Sequence, residues 1–268
     1  MTPQQSRPCL VLIAGTLCDA RLFARQTRAL RHVARVIVLN YACAKATPSG
    51  TLELLRTLPE RFSVAGFSLG GLWALALLRA APERLERLAL IASNAEAATA
   101  GIQRRNHNFW RLWTARGPAA VARKVKPRYF HHEATRTKHA ALVRDMASGT
   151  QTHAARAQFA LAASRPSSLE VLSKFTRPLL IVSGANDTLC PRAWQARMAK
   201  AQPLAVWHEL PRCGHLIPLE AAVPLSALLL RWMAVPASPR ANDAKPGRDD
   251  SAASLLTATS PHFGDSLC

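Results

Sequence analysis

Residues 62–80 read FSVAGFSLGGLWALALLRA, and three kinds of structure follow one another within them. Phe62–Ala65 is a short apolar run of the kind that forms a strand buried on both faces. Gly66-Phe67-Ser68-Leu69-Gly70 then places a serine between two glycines, with Gly71 behind them. From Leu69 to Ala80 the apolar residues continue at helical spacing. A strand, a tight glycine-flanked turn and a helix form the setting in which G-x-S-x-G acts as a nucleophile elbow. The turn lifts the Ser68 hydroxyl above the sheet. The glycines let strand and helix approach, and the Leu69 N–H at the helix N-terminus faces where an oxyanion would develop. The plainer reading is a glycine-rich turn that only packs a helix against a strand.

A serine hydroxyl becomes a nucleophile only beside a base, and the base needs an acid to hold its tautomer. Nine histidines are available. His107, His131, His132, His139 and His153 fall in a basic helical stretch, His32 ends a surface helix, His208 sits within a strand and His262 lies near the C-terminus. His215 differs, because it follows the last expected strand in PRCGHLIPLE, where Gly214 permits a turn. Asp187, in GANDTLCP, follows the fifth expected strand, at the carboxyl edge of the sheet where α/β active sites form. Its plainer reading is an Asx cap.

Outward from the elbow, further apolar β-branched runs are expected as strands at 9–14, 35–39, 88–92, 179–183 and 205–210. Helical patterns at 22–32, 52–58, 192–201 and 219–234 alternate with them. This alternation reads as an α/β fold with a mostly parallel central sheet of about six strands flanked by helices. Between 94 and 173 the strands stop, and helical segments are expected at 102–116, 118–126, 135–148 and 152–164. A stretch that long is no loop, so it reads as an inserted helical cap. The domain expectation is a core of 8–93 plus 174–234, a cap of 94–173, and a disordered tail of 236–268 rich in Pro, Ser, Ala and Asp.

The 268 residues carry 35 Lys and Arg against 16 Asp and Glu, a formal charge of +19. With 49% hydrophobic residues, the chain has a core to bury, and global disorder is excluded. No run of 18 uncharged apolar residues occurs, so no membrane span is expected. The N-terminal apolar run is too short for a secretory signal, which makes the expected location cytoplasmic. Cys9, Cys18, Cys43, Cys190, Cys213 and Cys268 form no C-x-x-C pair and no zinc spacing, so neither a metal nor a cofactor is expected. The charge admits a second class of reading, a polyanion-binding protein, but no nucleic-acid motif accompanies it.

The order Ser68, Asp187, His215 resembles that of the α/β-hydrolase superfamily, and small bacterial serine esterases with a helical cap above all. The resemblance covers about residues 8–234 and rests on VLIAGTLCDARLF, GFSLGG, GANDTLCP and CGHLIPLE. It implies a serine hydrolase that cleaves a small carboxylic ester or thioester through an acyl-enzyme on Ser68, with no cofactor. The family often has His-Gly-X after the first strand. Ala14-Gly15-Thr16 stands there, so the resemblance assigns the second oxyanion amide to Thr16, with Leu17 one residue away as the alternative. Some relatives place the acid after the fourth strand, which makes Glu96 the rival to Asp187. An α/β-hydrolase-fold lyase or C–C bond hydrolase would use the same triad. Phe109, Trp110 and Trp113 in the cap are expected to shape the substrate pocket, or else to dock the cap on the core. The cap's many cations read either as a solvated surface or as a funnel for anionic substrates.

Overall fold

The structure, a computed structural model, describes residues 7–39, 48–125 and 129–237. In chain order the elements are β1 (Cys9–Ile13), α1 (Ala24–Leu30), β2 (Arg35–Leu39), α2 (Pro48–Thr57), β3 (Phe62–Phe67), α3 (Leu69–Ala80), β4 (Leu85–Ile91), α4 (Ala100–Val125), α5 (Glu133–Ser148) and α6 (Thr152–Ser164). They continue with α7 (Leu169–Ser173), β5 (Leu179–Gly184), α8 (Arg192–Ala201), β6 (Val206–Leu210), α9 (Ile217–Glu220) and α10 (Ala222–Ala234). The expected tail lies, from 238 onward, outside the described residues.

The six strands form one parallel sheet in the order β2-β1-β3-β4-β5-β6. The chain starts at β1, steps outward to β2, then returns past β1 to β3 and continues in the other direction. Strand order therefore reverses between β1 and β3, and the crevice at their carboxyl ends is where such sheets bind ligands. Ile13 pairs with Gly66 at that end, which brings the residues after β1 beside the elbow.

Every residue of β1, β3 and β5 is buried, as their unbroken apolar runs require. The edge strands β2 and β6 are half exposed. Alternate side chains of β1 enter opposite layers. Leu10 and Leu12 join Leu30, Leu225, Leu229 and Trp232 from α1 and α10. Val11 and Ile13 join Leu55, Trp73, Leu77 and Met198 from α2, α3 and α8. Helices thus cover both faces of the sheet.

β4 begins at Leu85, three residues before the expected start at 88. Glu86 and Arg87 interrupt the apolar run and hide the strand. Arg87 is nonetheless buried, because its guanidinium donates to the Val235 carbonyl at 2.8 and 2.9 Å and to Ser63 Oγ at 3.2 Å. α7 was not expected, since five residues are too few for a periodic pattern to register.

Between β4 and β5 lie α4 to α7. Gly117, at φ 72° and ψ 177°, interrupts α4, and Pro118 restarts it, matching the expected break between 116 and 118. Trp113, Val121, Ala122, Ala147, Ala155 and Phe159 cluster with Leu17 and tie these helices to the loop after β1. Among the described residues no helix is long and apolar enough to cross a membrane.

Candidate active site

Ser68 is the single residue between β3 and α3, and its backbone sits at φ 53°, ψ −114°. That region is costly for any residue with a Cβ, by about 1–3 kcal/mol, and persists only where the surroundings hold it. Here the Ser68 N–H donates to the Ile91 carbonyl at 2.8 Å, and the Ser93 hydroxyl donates to the Ser68 carbonyl at 2.8 Å. The flanking glycines are a steric requirement. A Cβ on Gly66 would lie 2.2 Å from the Gly70 carbonyl oxygen, and one on Gly70 would lie 2.0 Å from that of Ile13.

His215 and Asp187 converge on Ser68 from two loops. His215 Nε2 lies 2.9 Å from Ser68 Oγ, and His215 Nδ1 lies 2.8 Å from Asp187 Oδ2. The other carboxylate oxygen, Asp187 Oδ1, accepts the N–H groups of Leu189 at 2.8 Å and Cys190 at 2.9 Å, which fixes the plane of the carboxylate. The His215 N–H donates to the Tyr129 carbonyl at 2.8 Å. Phe67 and Tyr129 flank the imidazole, each with its ring centre 5.1 Å away. His215 and Asp187 are both buried. Glu96, the rival acid, instead pairs with Arg197 of α8. The structure therefore brings the three expected residues together and leaves Glu96 aside.

Ser68 and His215 line a cavity, and Thr16, Leu17 and Leu69 line it beside them. The Leu17 N–H donates to Gln158 Oε1 at 2.8 Å, so of the two amides proposed after β1 the Leu17 one is engaged by a side chain. Of the three expected pocket aromatics, only Phe109 reaches this cavity. Trp110 lines a separate groove between α4 and α6, with the Arg156 guanidinium 6.0 Å from its ring centre. Trp113 is 4% exposed, packs edge-on to Phe159 and does not line this cavity. Successive residues of a helix point about 100° apart, so Phe109, Trp110 and Trp113 meet different surfaces. Sequence reasoning missed Tyr129, Phe159, Arg165 and Trp194 as cavity residues. Phe159 lies on an expected helix, but nothing local to any of the four marks it as facing Ser68.

Burial raises the Tyr129 phenol and the Cys190 thiol far above their ordinary ranges, and the Asp187 charge adds to the effect on Cys190. Both groups stay protonated at neutral pH. Asp187, Cys190 and His215 offer ligand atoms within 4.8 Å of one another. Metal ligation by Cys190 would need a thiolate, which this site disfavours, and both His215 nitrogens are already engaged with Asp187 and Ser68. The arrangement suits proton transfer: a hydroxyl, an imidazole to receive its proton and a carboxylate to hold the imidazole.

The sequence profile of the Alpha/beta hydrolase family matches residues 10–228. A pimeloyl-[acyl-carrier protein] methyl ester esterase of Nitrosomonas europaea is 28% identical over 170 residues, 59% of this chain. The match covers 66% of that relative, just under two thirds of its length. Among solved structures, a thermophilic esterase from Thermogutta terrifontis superposes with a TM-score of 0.73 at 22% identity, over 84% of this chain and 89% of that one. An enol-lactonase from Burkholderia xenovorans gives 0.74 at 22% identity, over 85% and 92%. A meta-cleavage product hydrolase from Pseudomonas fluorescens gives 0.67 at 19% identity, over 84% and 90%. At these identities the structural likeness establishes the fold. The profile covers most of the chain, from β1 into α10, and on that ground the chain belongs to the alpha/beta hydrolase family.

Proposed function

We propose that this protein is a serine hydrolase that cleaves a small carboxylic ester or thioester. The observation that carries the reading is the Ser68–His215–Asp187 chain, with contacts of 2.9 and 2.8 Å, anchored on a serine held at φ 53°. The esterase relative in Nitrosomonas europaea supports ester chemistry.

In this reading Ser68 Oγ attacks the substrate carbonyl while its proton passes to His215 Nε2. The Leu69 and Thr16 amides receive the charge that develops on the carbonyl oxygen, where fixed donors act without reorganising. Asp187 stabilises the imidazolium and holds its Nδ1 proton. The tetrahedral intermediate collapses, and His215 returns the proton to the departing alcohol or thiol. A water molecule then gives a proton to His215 and its oxygen to the acyl carbon, which releases the acid and restores Ser68. The helices α4 to α6 act as a cap over the crevice, so that 94–173 is an insertion into the core of 8–93 and 174–234.

The test is a fluorophosphonate probe followed by a chain-length panel of p-nitrophenyl esters. Stoichiometric labelling of Ser68, with turnover that Ser68→Ala abolishes, is the expected result. Labelling without turnover of any ester or thioester would move the reading to a lyase or C–C bond hydrolase on the same triad. No labelling at Ser68 would overturn the nucleophile assignment.

A further inference from the structure

The cap's cations do not all face water. Arg104, Arg111, Arg116 and Arg123 are exposed. On the cavity side of α4, Ile102, Arg105, Asn106 and Phe109 stand at i, i+3, i+4 and i+7, the spacing of an inward face. Ile102 and Asn106 are buried, and Arg105, Asn106 and Phe109 line the cavity that holds Ser68. An arginine thus occupies a position where an apolar residue would be expected.

Arg165, just past the end of α6, lines the same cavity and is 8% exposed. Its guanidinium donates to the carbonyls of Glu96 at 3.0 Å and Ala162 at 2.6 Å, and at 3.4 Å to Asn94 Oδ1. Those acceptors are all neutral, and a guanidinium carries five N–H donors. Among the described residues neither Arg105 nor Arg165 meets a carboxylate within ion-pair distance. The acid nearest in sequence to their contacts, Glu96, is taken by Arg197. Among the described residues no Asp or Glu lines the cavity. Burial lowers the affinity of Arg165 for its proton, and the charge of Arg105 lowers it further, while the Glu96 carboxylate offsets part of the effect from beyond ion-pair distance. A buried and a half-buried guanidinium beside an apolar wall formed by Phe67, Leu72, Phe109 and Phe159 favour the arrival of an anion.

We propose that Arg105 and Arg165 form an anion subsite that binds a carboxylate carried by the substrate itself, so that the preferred substrates are esters or thioesters bearing a second, ionised acid group. Arg105 and Arg165 take the role of specificity residues, and the remaining apolar wall covers the chain between the two ends of the substrate. This rests on the hydrolase reading above and adds the substrate class to it. Each turnover would give a product with one more carboxylate than the substrate, plus the alcohol or thiol.

The experiment compares matched substrates in two arms with the full chain. In the acyl arm, mono-p-nitrophenyl glutarate and adipate are set against their neutral terminal amides. In the alcohol arm, the acetate ester of 4-hydroxybenzoate is set against that of 4-hydroxybenzamide. The expected result is a kcat/KM ratio of about 10 to 100 in favour of the anion in one arm, the worth of one or two charge-assisted hydrogen bonds. That arm identifies which end of the substrate the arginines hold. Arg105→Gln should bring the ratio close to one, as should Arg165→Lys, which keeps the charge but loses the planar fork. Arg104→Gln removes the same charge from the exposed side of the helix and should leave the ratio intact. Ratios near one in both arms for the wild type would overturn the proposal, as would a ratio unchanged in both cavity variants. If Ser68 does not label and no ester turns over, the hydrolase reading fails separately. Adipate binding by calorimetry then decides the subsite: binding lost in Arg105→Gln supports it, and no binding by the wild type overturns it.

Discussion

Glu220 holds Gly214 in place: its Oε2 accepts the Gly214 N–H at 2.6 Å, and its Oε1 accepts the N–H groups of His131 and His132 at 2.7 Å each. One carboxylate thus joins the loop that carries His215 to the segment that leads into α5. Glu220→Gln would turn amide protons toward donors, a substitution that costs about 1–3 kcal/mol when an acceptor is lost. The expected outcome is a melting temperature lower by several degrees and a kcat reduced by about tenfold with KM little changed. A fall in stability without any change in kcat would show that the tie does not position His215.

Ser68→Ala and Ser68→Gly should both reduce ester turnover by about 10³-fold or more. They should differ in stability. Ser68 holds φ 53°, which alanine shares only under strain and glycine adopts freely. Ser68→Gly is expected to melt above Ser68→Ala by a few degrees in calorimetry. Equal melting temperatures would mean that the turn stores no strain.

Asp187→Asn should cost about 10²–10⁴-fold in kcat, because the amide favours the wrong imidazole tautomer. Glu96→Gln should remain within about threefold, since it breaks only a surface pair, and such pairs contribute little. Steady-state kinetics on one p-nitrophenyl ester ranks the two, and the reverse order would move the acid to the other loop.

Trp113→Ala removes a side chain that is 4% exposed, and a cavity of that kind costs about 3–5 kcal/mol. Chain-length preference should not move. Phe109→Ala should shift that preference toward longer or bulkier acyl groups with a smaller stability loss. Measured across an ester panel, a preference shift in Trp113→Ala would place the tryptophan at the substrate after all.

Burial pushes the Cys213 thiol up to about 12, and it pushes Cys190 higher still. Both should resist iodoacetamide in the native protein at pH 8 and react in urea. The sign of the pH effect follows from linkage. Above the unfolded value of about 8.5 the folded chain holds more protons than the unfolded one, so stability falls as pH rises. Cys190→Ala should flatten that alkaline decline in denaturant titrations between about pH 8.5 and 11. An unchanged slope would count against a raised Cys190 thiol.

The elbow was legible because its causes are local. A turn of one residue between Phe67 and Leu69 needs its glycines within two positions, and β3 and α3 announce themselves by period. The buried strands were legible for the same reason, and β4 extends beyond its apolar run because Arg87 finds its partner 148 residues away. Asp187 and His215 could be chosen from the sequence because each follows a strand, and parallel strands deliver such loops to one edge. The rest depended on which helix faces meet across the fold. Arg105 and Arg104 are neighbours in sequence, yet one lines the cavity of Ser68 and the other an outer groove. Trp110 and Trp113 part in the same way, and Arg165 enters the cavity from a loop with no periodic signal. Local periodicity follows from backbone geometry, which the sequence alone determines. Long-range packing decides which arginine loses its water, and only the tertiary structure settles that.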